Sequence, residues 1–235
     1  MSQNRSHAVM AQRIEADDSL DDFPTQPWGT RALAEHIIKP RGLKFGSGWE
    51  PACNRGYMVR PMLEYFDSVH ASDVHDYSPQ APKKALVFGP DGSARQDDGQ
   101  HWVCDFLFPH SEPSHIAKNP VDWIWTNPPF RLAEEFIARA LGLASIGCAM
   151  LVRTAFLESV GRYERLFSMN PPTVVAQFVE RLPMVKGRVD RKASTATSYA
   201  WLLWIKDRSP EPFQWIPPCR ANLERDSDYP ALEVA

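Results

Sequence analysis

Short apolar runs alternate along this chain with longer segments in which apolar positions recur every three or four residues. Seven runs have the length and the aromatic and β-branched content of strands: residues 47–52, 69–74, 102–108, 121–127, 147–154, 173–179 and 199–205. The run 147–154 (G-C-A-M-L-V-R-T) is apolar nearly throughout, as a strand buried on both faces should be. Helical stretches lie at 28–38, with a stripe through Leu33, Ile37 and Ile38, and at 57–66, 131–144 and 158–167. Pro61 falls in the first turn or so of the second, where proline is tolerated. Glu134 and Glu135 suit the first turns of the third, and Gly142 lies near its end. Strands alternating with helices predict right-handed βαβ units, a mostly parallel sheet and helices on both faces.

Composition narrows the class. With 235 residues, 43% hydrophobic and 23% charged, the chain can bury one full core. No apolar run approaches the roughly 20 residues that span a bilayer, and the N-terminus lacks the apolar region of a secretory signal. Cys53, Cys104, Cys148 and Cys219 lie far apart, three of them in apolar stretches. Buried free thiols in a reducing cytoplasm are expected, with no metal site. Residues 1–22 are polar and acidic and read as a tail; 23–208 form the domain; the proline-rich 209–235 reads as a second tail. The Pro/Gly/Asp-rich stretch 77–100 is an insertion, either functional or a small hairpin around F-G-P-D-G-S.

Ligands in such sheets bind beyond the carboxyl ends of the strands. The first four runs end in E-P-A-C-N-R-G, S-D, C-D-F and T-N-P-P-F, so each end carries an acid or an amide. Two prolines after an asparagine also make an ordinary turn, since proline cannot continue a central strand. Four polar strand ends in succession instead suggest a pocket.

Glu50 to Gly56, the later aspartates and N-P-P-F, in that order, resemble the S-adenosylmethionine-dependent amino-methyltransferases. The likeness is greatest to phage- and prophage-type DNA adenine-N6 methyltransferases whose cofactor motifs precede N-P-P-F, and it covers roughly residues 23–207. The resemblance implies an α/β, Rossmann-like seven-stranded methyltransferase sheet, mostly parallel with its last strand, 199–205, antiparallel. It implies S-adenosylmethionine as cofactor, held by Thr25, Glu50, Pro51, Ala52, Cys53, Gly56, Asp73, Asp105, Phe106 and Asn127. It implies chemistry at Asn127, Pro128, Pro129 and Phe130.

The residues have a physical case of their own. Gly56 lets the strand-to-helix turn approach a ligand closely, while Asn54, which stands where the family it resembles often has a glycine, tolerates a left-handed backbone better than most residues. Glu50 can face the cationic methionine end and Asp73 the ribose hydroxyls, with Asp76 as the fallback. Asp105 can accept from the adenine amine beside Phe106. Thr25, in P-T-Q-P-W, is either a contact to the methionine end or a helix cap.

An exocyclic amine is a poor nucleophile because its lone pair is delocalised into the ring. The Asn127 side-chain oxygen and the Pro128 carbonyl can draw both N–H bonds and shift the nitrogen towards tetrahedral geometry, the prolines stiffening that presentation. Phe130 can stack on the target ring. The same motif serves methylation of an RNA base or a protein glutamine, and a methyltransferase-shaped binding protein without catalysis is the other class.

Net charge is −3, yet residues 181–192 carry five bases against Asp190. Lys186, Arg188, Arg191 and Lys192 are expected to contact phosphates of duplex DNA with an extruded adenine, or of a single strand, with Ser194 and Thr195 donating. A solvated loop is the alternative. Tyr199 is either a base contact or a core aromatic. Only 27 residues follow Arg208, and 77–100 is too short for a recognition domain. Relaxed or very short sequence preference, or recognition supplied by a partner, is therefore expected.

Overall fold

The computed structural model describes residues 21–77, 79, 86–88, 94–96 and 102–230, with the backbone course alone for 86–88 and 94–96. The described residues form ten strands: β1 Ser47–Glu50, β2 Ser68–Asp73, β3 Leu86–Phe88, β4 Ala94–Gln96, β5 Trp102–Val103, β6 Trp123–Thr126, β7 Gly147–Arg153, β8 Val174–Phe178, β9 Tyr199–Ile205 and β10 Gln214–Ile216. The helices are α1 Pro27–Leu33, running on through a wider turn to Ile38, then α2 Val59–Leu63, α3 Ser114–Lys118, α4 Ala133–Leu143, α5 Val160–Arg162, continued to Phe167, and α6 Arg220–Leu223.

The sheet has eight strands in the order β10-β8-β9-β7-β6-β1-β2-β5. All its pairings are parallel except those of β9, which runs antiparallel to β7 and β8. Period-two alternation assigns the strand side chains to two cores. Trp123, Trp125, Trp201 and Leu203 point to one face, with Trp28, Ile37, Met62 and Phe66 from the α1 and α2 side. Ile124, Met150, Leu202 and Trp204 point to the other, with Phe136 and Ile137 of α4. β7 and β9 pair from Gly147↔Ile205 to Arg153↔Tyr199. Gly147 is required there, because a Cβ would stand 2.2 Å from the Trp204 carbonyl oxygen.

The seven expected strands and the antiparallel 199–205 are all present, and two expectations are corrected, the length of the third strand and the course of 209–230. The third strand is two residues long, because the chain turns at Asp105–Phe108, where Phe108 N–H donates to the Asp105 carbonyl (3.1 Å) and Leu107 N–H to Asp105 Oδ1 (2.9 Å). The insertion contains an antiparallel hairpin, β3 with β4; its other residues, apart from Tyr77 and Pro79, and the expected N-terminal tail up to residue 20 lie outside the described residues.

The segment 209–230 is not a surface tail. β10 adds an eighth strand beyond β8, and Ile216, Cys219 and Asp228 are buried. Its anchor is Arg31, 2% exposed, which forks between Glu64 (2.8 Å) and Asp228 (2.7 Å) and also donates to the Leu223 carbonyl. A buried guanidinium requires such partners, and a proline-rich sequence with a three-residue strand carries no periodicity that announces them. Among the described residues no helix is long and apolar enough to cross a membrane.

Candidate active site

The carboxyl ends of β1, β2, β5 and β6 open into one cleft of about 970 Å³. Lining it are Thr25, Glu50, Pro51, Ala52, Cys53, Asp73, Asp105, Phe106, Asn127, Pro129 and Phe130, together with Ser194 and Thr195. Gly56, Pro128, Lys186, Arg188, Arg191 and Lys192 are not among its lining residues.

Glu50 ends β1 and is 1% exposed. One carboxylate oxygen, Oε1, accepts from Ala52 N–H (3.0 Å) and the Thr126 hydroxyl (2.5 Å), while Oε2 is buried without a partner. Burial pushes its pKa up to about 8, and nearby Asp73 adds to the rise against those two hydrogen bonds. Asp73 closes β2; its Oδ2 accepts from Asn54 N–H (2.9 Å) and its Oδ1 from His75 N–H (3.1 Å). Burial raises its pKa as well. Asp73, not the exposed Asp76, lines the cleft.

The turn between β1 and α2 uses left-handed backbone twice. Asn54 has φ 51° and Gly56 φ 80°. Asparagine fits that conformation where a larger side chain would strain, and its amide is used in addition: Oδ1 accepts from Arg55 N–H (2.7 Å) and Nδ2 donates to Asp22 (2.7 Å). Asp22 also pairs with Arg55 (2.8 Å), which holds its carboxyl below the usual range against partial burial. Phe106 packs edge-on against Trp49 with centroids 5.2 Å apart, placing an apolar wall beside Asp105. Thr25 is 4% exposed and lines the cleft, while Gln26 takes the cap position of α1. Thr25 therefore does not cap α1.

Asn127 follows β6 with its amide orientation defined. Nδ2 donates to the Phe23 carbonyl (3.0 Å) and lies 3.7 Å from Met184 Sδ, and Oδ1 is buried with no partner. A buried acceptor left unsatisfied carries a desolvation cost, so such an atom in a cleft marks a place where a donor is missing. Phe130 lies beside it; its N–H donates to Asp21 Oδ2 (2.6 Å), its ring tilts against Phe23 at 5.6 Å, and the Arg153 guanidinium stands 3.9 Å over its face.

The expected phosphate contacts divide. Ser194 and Thr195 line the cleft. Lys186, Arg188, Arg191 and Lys192 are exposed outside it, on a loop tied to its rim where Gly187 N–H donates to the Asp22 carbonyl. Arg188 pairs with Asp190 (3.2 Å) and Arg191 with Asp226 (2.7 Å). Tyr199 is 4% exposed in β9 yet also borders the cleft.

Phe23, Met184 and Arg153 were missed in the sequence. Extending the carboxyl-end rule to the fifth strand would have found Arg153, the charged end of an otherwise apolar run. Phe23 and Met184 carry no such signal, since single apolar residues in loops reach the cleft only through the fold.

No family model and no curated protein matches this chain. Solved structures do. A Listeria monocytogenes protein assigned as a class I S-adenosylmethionine-dependent methyltransferase shares 15% identity over 88% of this chain and 68% of its own, with a TM-score of 0.53. A Pyrococcus horikoshii protein assigned as an RNA methyltransferase shares 11% identity over 75% of this chain and 83% of its own, with a TM-score of 0.51. The chain therefore has the class I methyltransferase fold.

Proposed function

We propose that this protein transfers a methyl group from S-adenosylmethionine to the exocyclic N6 amine of adenine in DNA, with relaxed or short sequence preference. One observation carries the reading: a buried Asn127 oxygen without a partner, set by N-P-P-F at the end of β6 on a cleft floored by acids.

The acids suit the cofactor. Glu50, with an unpartnered buried oxygen, complements a cationic amino-acid head; Asp73 at the end of β2 suits a ribose diol; Asp105 beside Phe106 suits an aromatic amine. When bound, S-adenosylmethionine supplies a methyl carbon already activated by its sulfonium. The protein's part is to prepare the amine. Asn127 Oδ1, the buried acceptor without a partner, accepts an N–H bond of the target amine, which draws the nitrogen lone pair out of the ring. With the methyl group delivered from the sulfonium, the methylated nitrogen would lose its extra proton to solvent. No strong base is required, since the nitrogen needs orientation more than deprotonation.

The test uses labelled S-adenosylmethionine with unmethylated DNA, ribosomal RNA or cell protein as acceptor, for wild type and Asn127→Ala. The expected result is N6-methyladenine in DNA digests, lowered about 10²–10³-fold in the variant with cofactor affinity nearly unchanged. Label in RNA or protein alone would replace the substrate. Cofactor binding with no label anywhere would leave a binding protein.

A further inference from the structure

The cleft is divided by charge. In the strand order, the ends of β1, β2 and β5 bring Glu50, Asp73 and Asp105 to one half, and the ends of β6 and β7 with the start of β9 bring Arg131, Arg153 and the hydroxyls of Ser194, Thr195, Thr197 and Tyr199 to the other. Among the described lining residues on that side, Asp21 alone is acidic, and its Oδ2 is bonded by Phe130 N–H. An acidic half fits a cationic ligand, whose charge favours the carboxylate form of Glu50, and a basic half fits an anionic one.

Arg153 stands at the centre of the basic half. It ends β7 directly opposite Tyr199 of β9, with whose hydroxyl it interacts, and it is exposed to solvent. Its guanidinium lies 3.9 Å from the centre of the Phe130 ring. A base inserted between two flat groups needs a separation of roughly 7 Å, two contacts of about 3.5 Å each. The observed spacing leaves no room, so a target base reaches this face of Phe130 only after Arg153 moves.

Arg153 is held at this exposed site by the Tyr199 hydroxyl and by the Phe130 ring, one hydrogen bond to a neutral group and one weak cation–ring contact. A phosphate offers the same guanidinium a charge-assisted, two-pronged hydrogen bond, which is stronger. Resting on the nucleic-acid reading above, we propose that Arg153 is an acceptor-selecting residue: it covers Phe130 until a phosphate flanking the target nucleotide draws it aside, so that a base on a phosphodiester backbone gains the stacking face and a free nucleoside does not. Ser194 and Thr195, on the same side, are placed to donate to that phosphate as well.

The experiment measures methylation of deoxyadenosine, of a short single-stranded oligodeoxynucleotide, and of the same oligonucleotide with uncharged methylphosphonate linkages flanking the target. Wild type, Arg153→Ala and Arg153→Gln are compared, with melting temperature and cofactor affinity as folding controls; the glutamine variant keeps most of the side-chain length without the charge. For wild type, kcat/KM on the charged oligonucleotide exceeds that on the other two acceptors. Both variants lose about tenfold or more on the charged oligonucleotide, chiefly through KM, as expected for a lost charge-assisted contact, and hold or gain on deoxyadenosine. An equal loss on all three acceptors, or no loss on any, overturns the assignment of Arg153 alone. A wild type that methylates none of them while binding the cofactor overturns the functional reading and this proposal together.

Discussion

Replacing Glu50 with glutamine keeps the oxygen that accepts from Ala52 and Thr126 and removes the proton-binding site on the other, unpartnered oxygen. In the folded protein Glu50 holds its proton up to a pKa of about 8, whereas the unfolded chain releases it near 4.5. Between those values the folded state binds more protons than the unfolded state, so rising pH costs stability. The contribution is complete below 4.5 and lost as pH climbs through 8. The full span of 3.5 units corresponds to about 5 kcal/mol, of which roughly 3 kcal/mol falls between pH 5 and 7.5. Glutamine does not titrate, and the other groups cancel in the comparison. Glu50→Gln should therefore gain about 3 kcal/mol on wild type from pH 5 to 7.5, or roughly 6–12 °C in melting temperature for a chain of this size. The assay is thermal or urea unfolding of both proteins, without cofactor, across that range. Parallel stability curves would refute the reasoning and show that Glu50 is ionised at neutral pH. The same residue makes cofactor binding pH-dependent in the opposite sense. A cation beside Glu50 favours its carboxylate, so wild-type affinity should rise as pH approaches 8 with release of a proton, and the variant should bind weakly without that slope. A gain in stability would then accompany a loss of function, as is common where a site stores an unfavourable burial.

Two further outcomes test the scaffold. Asp228→Ala leaves Arg31 and Glu64 buried with their network broken, and should cost about 3–5 kcal/mol in urea unfolding; a loss below about 1 kcal/mol would mean that 209–230 is not tied to the sheet as described. At Asn54, with φ 51°, glycine should be tolerated within about 1 kcal/mol, the lost bond to Asp22 offsetting the relieved backbone, whereas valine should cost about 2 kcal/mol or more and loosen the turn that meets Asp73; equal cost for both would show that side-chain contacts, not backbone conformation, dominate there.

What the sequence determined by itself was local in origin. Apolar runs of strand length, helical stripes between them and polar residues at each run's end follow from periodicity and from the rule that parallel sheets bind ligands at carboxyl ends, and these alone put Glu50, Asp73, Asp105 and Asn127 on one rim. Asn54 could be read as left-handed because few other side chains accept that backbone. What only the tertiary structure decided were pairings between residues far apart in the chain. Arg31 meets Asp228 across 197 positions, Asn127 donates to Phe23 across 104, and Arg153 lies over Phe130. None of these leaves a periodic trace, because each partner satisfies a buried charge, an amide hydrogen or a ring face that exists only once the sheet has assembled. The same holds for the chemistry of Glu50. A glutamate at a strand end is ionised on its sequence alone, and only complete burial beside Asp73 turns it into a group that keeps its proton at neutral pH.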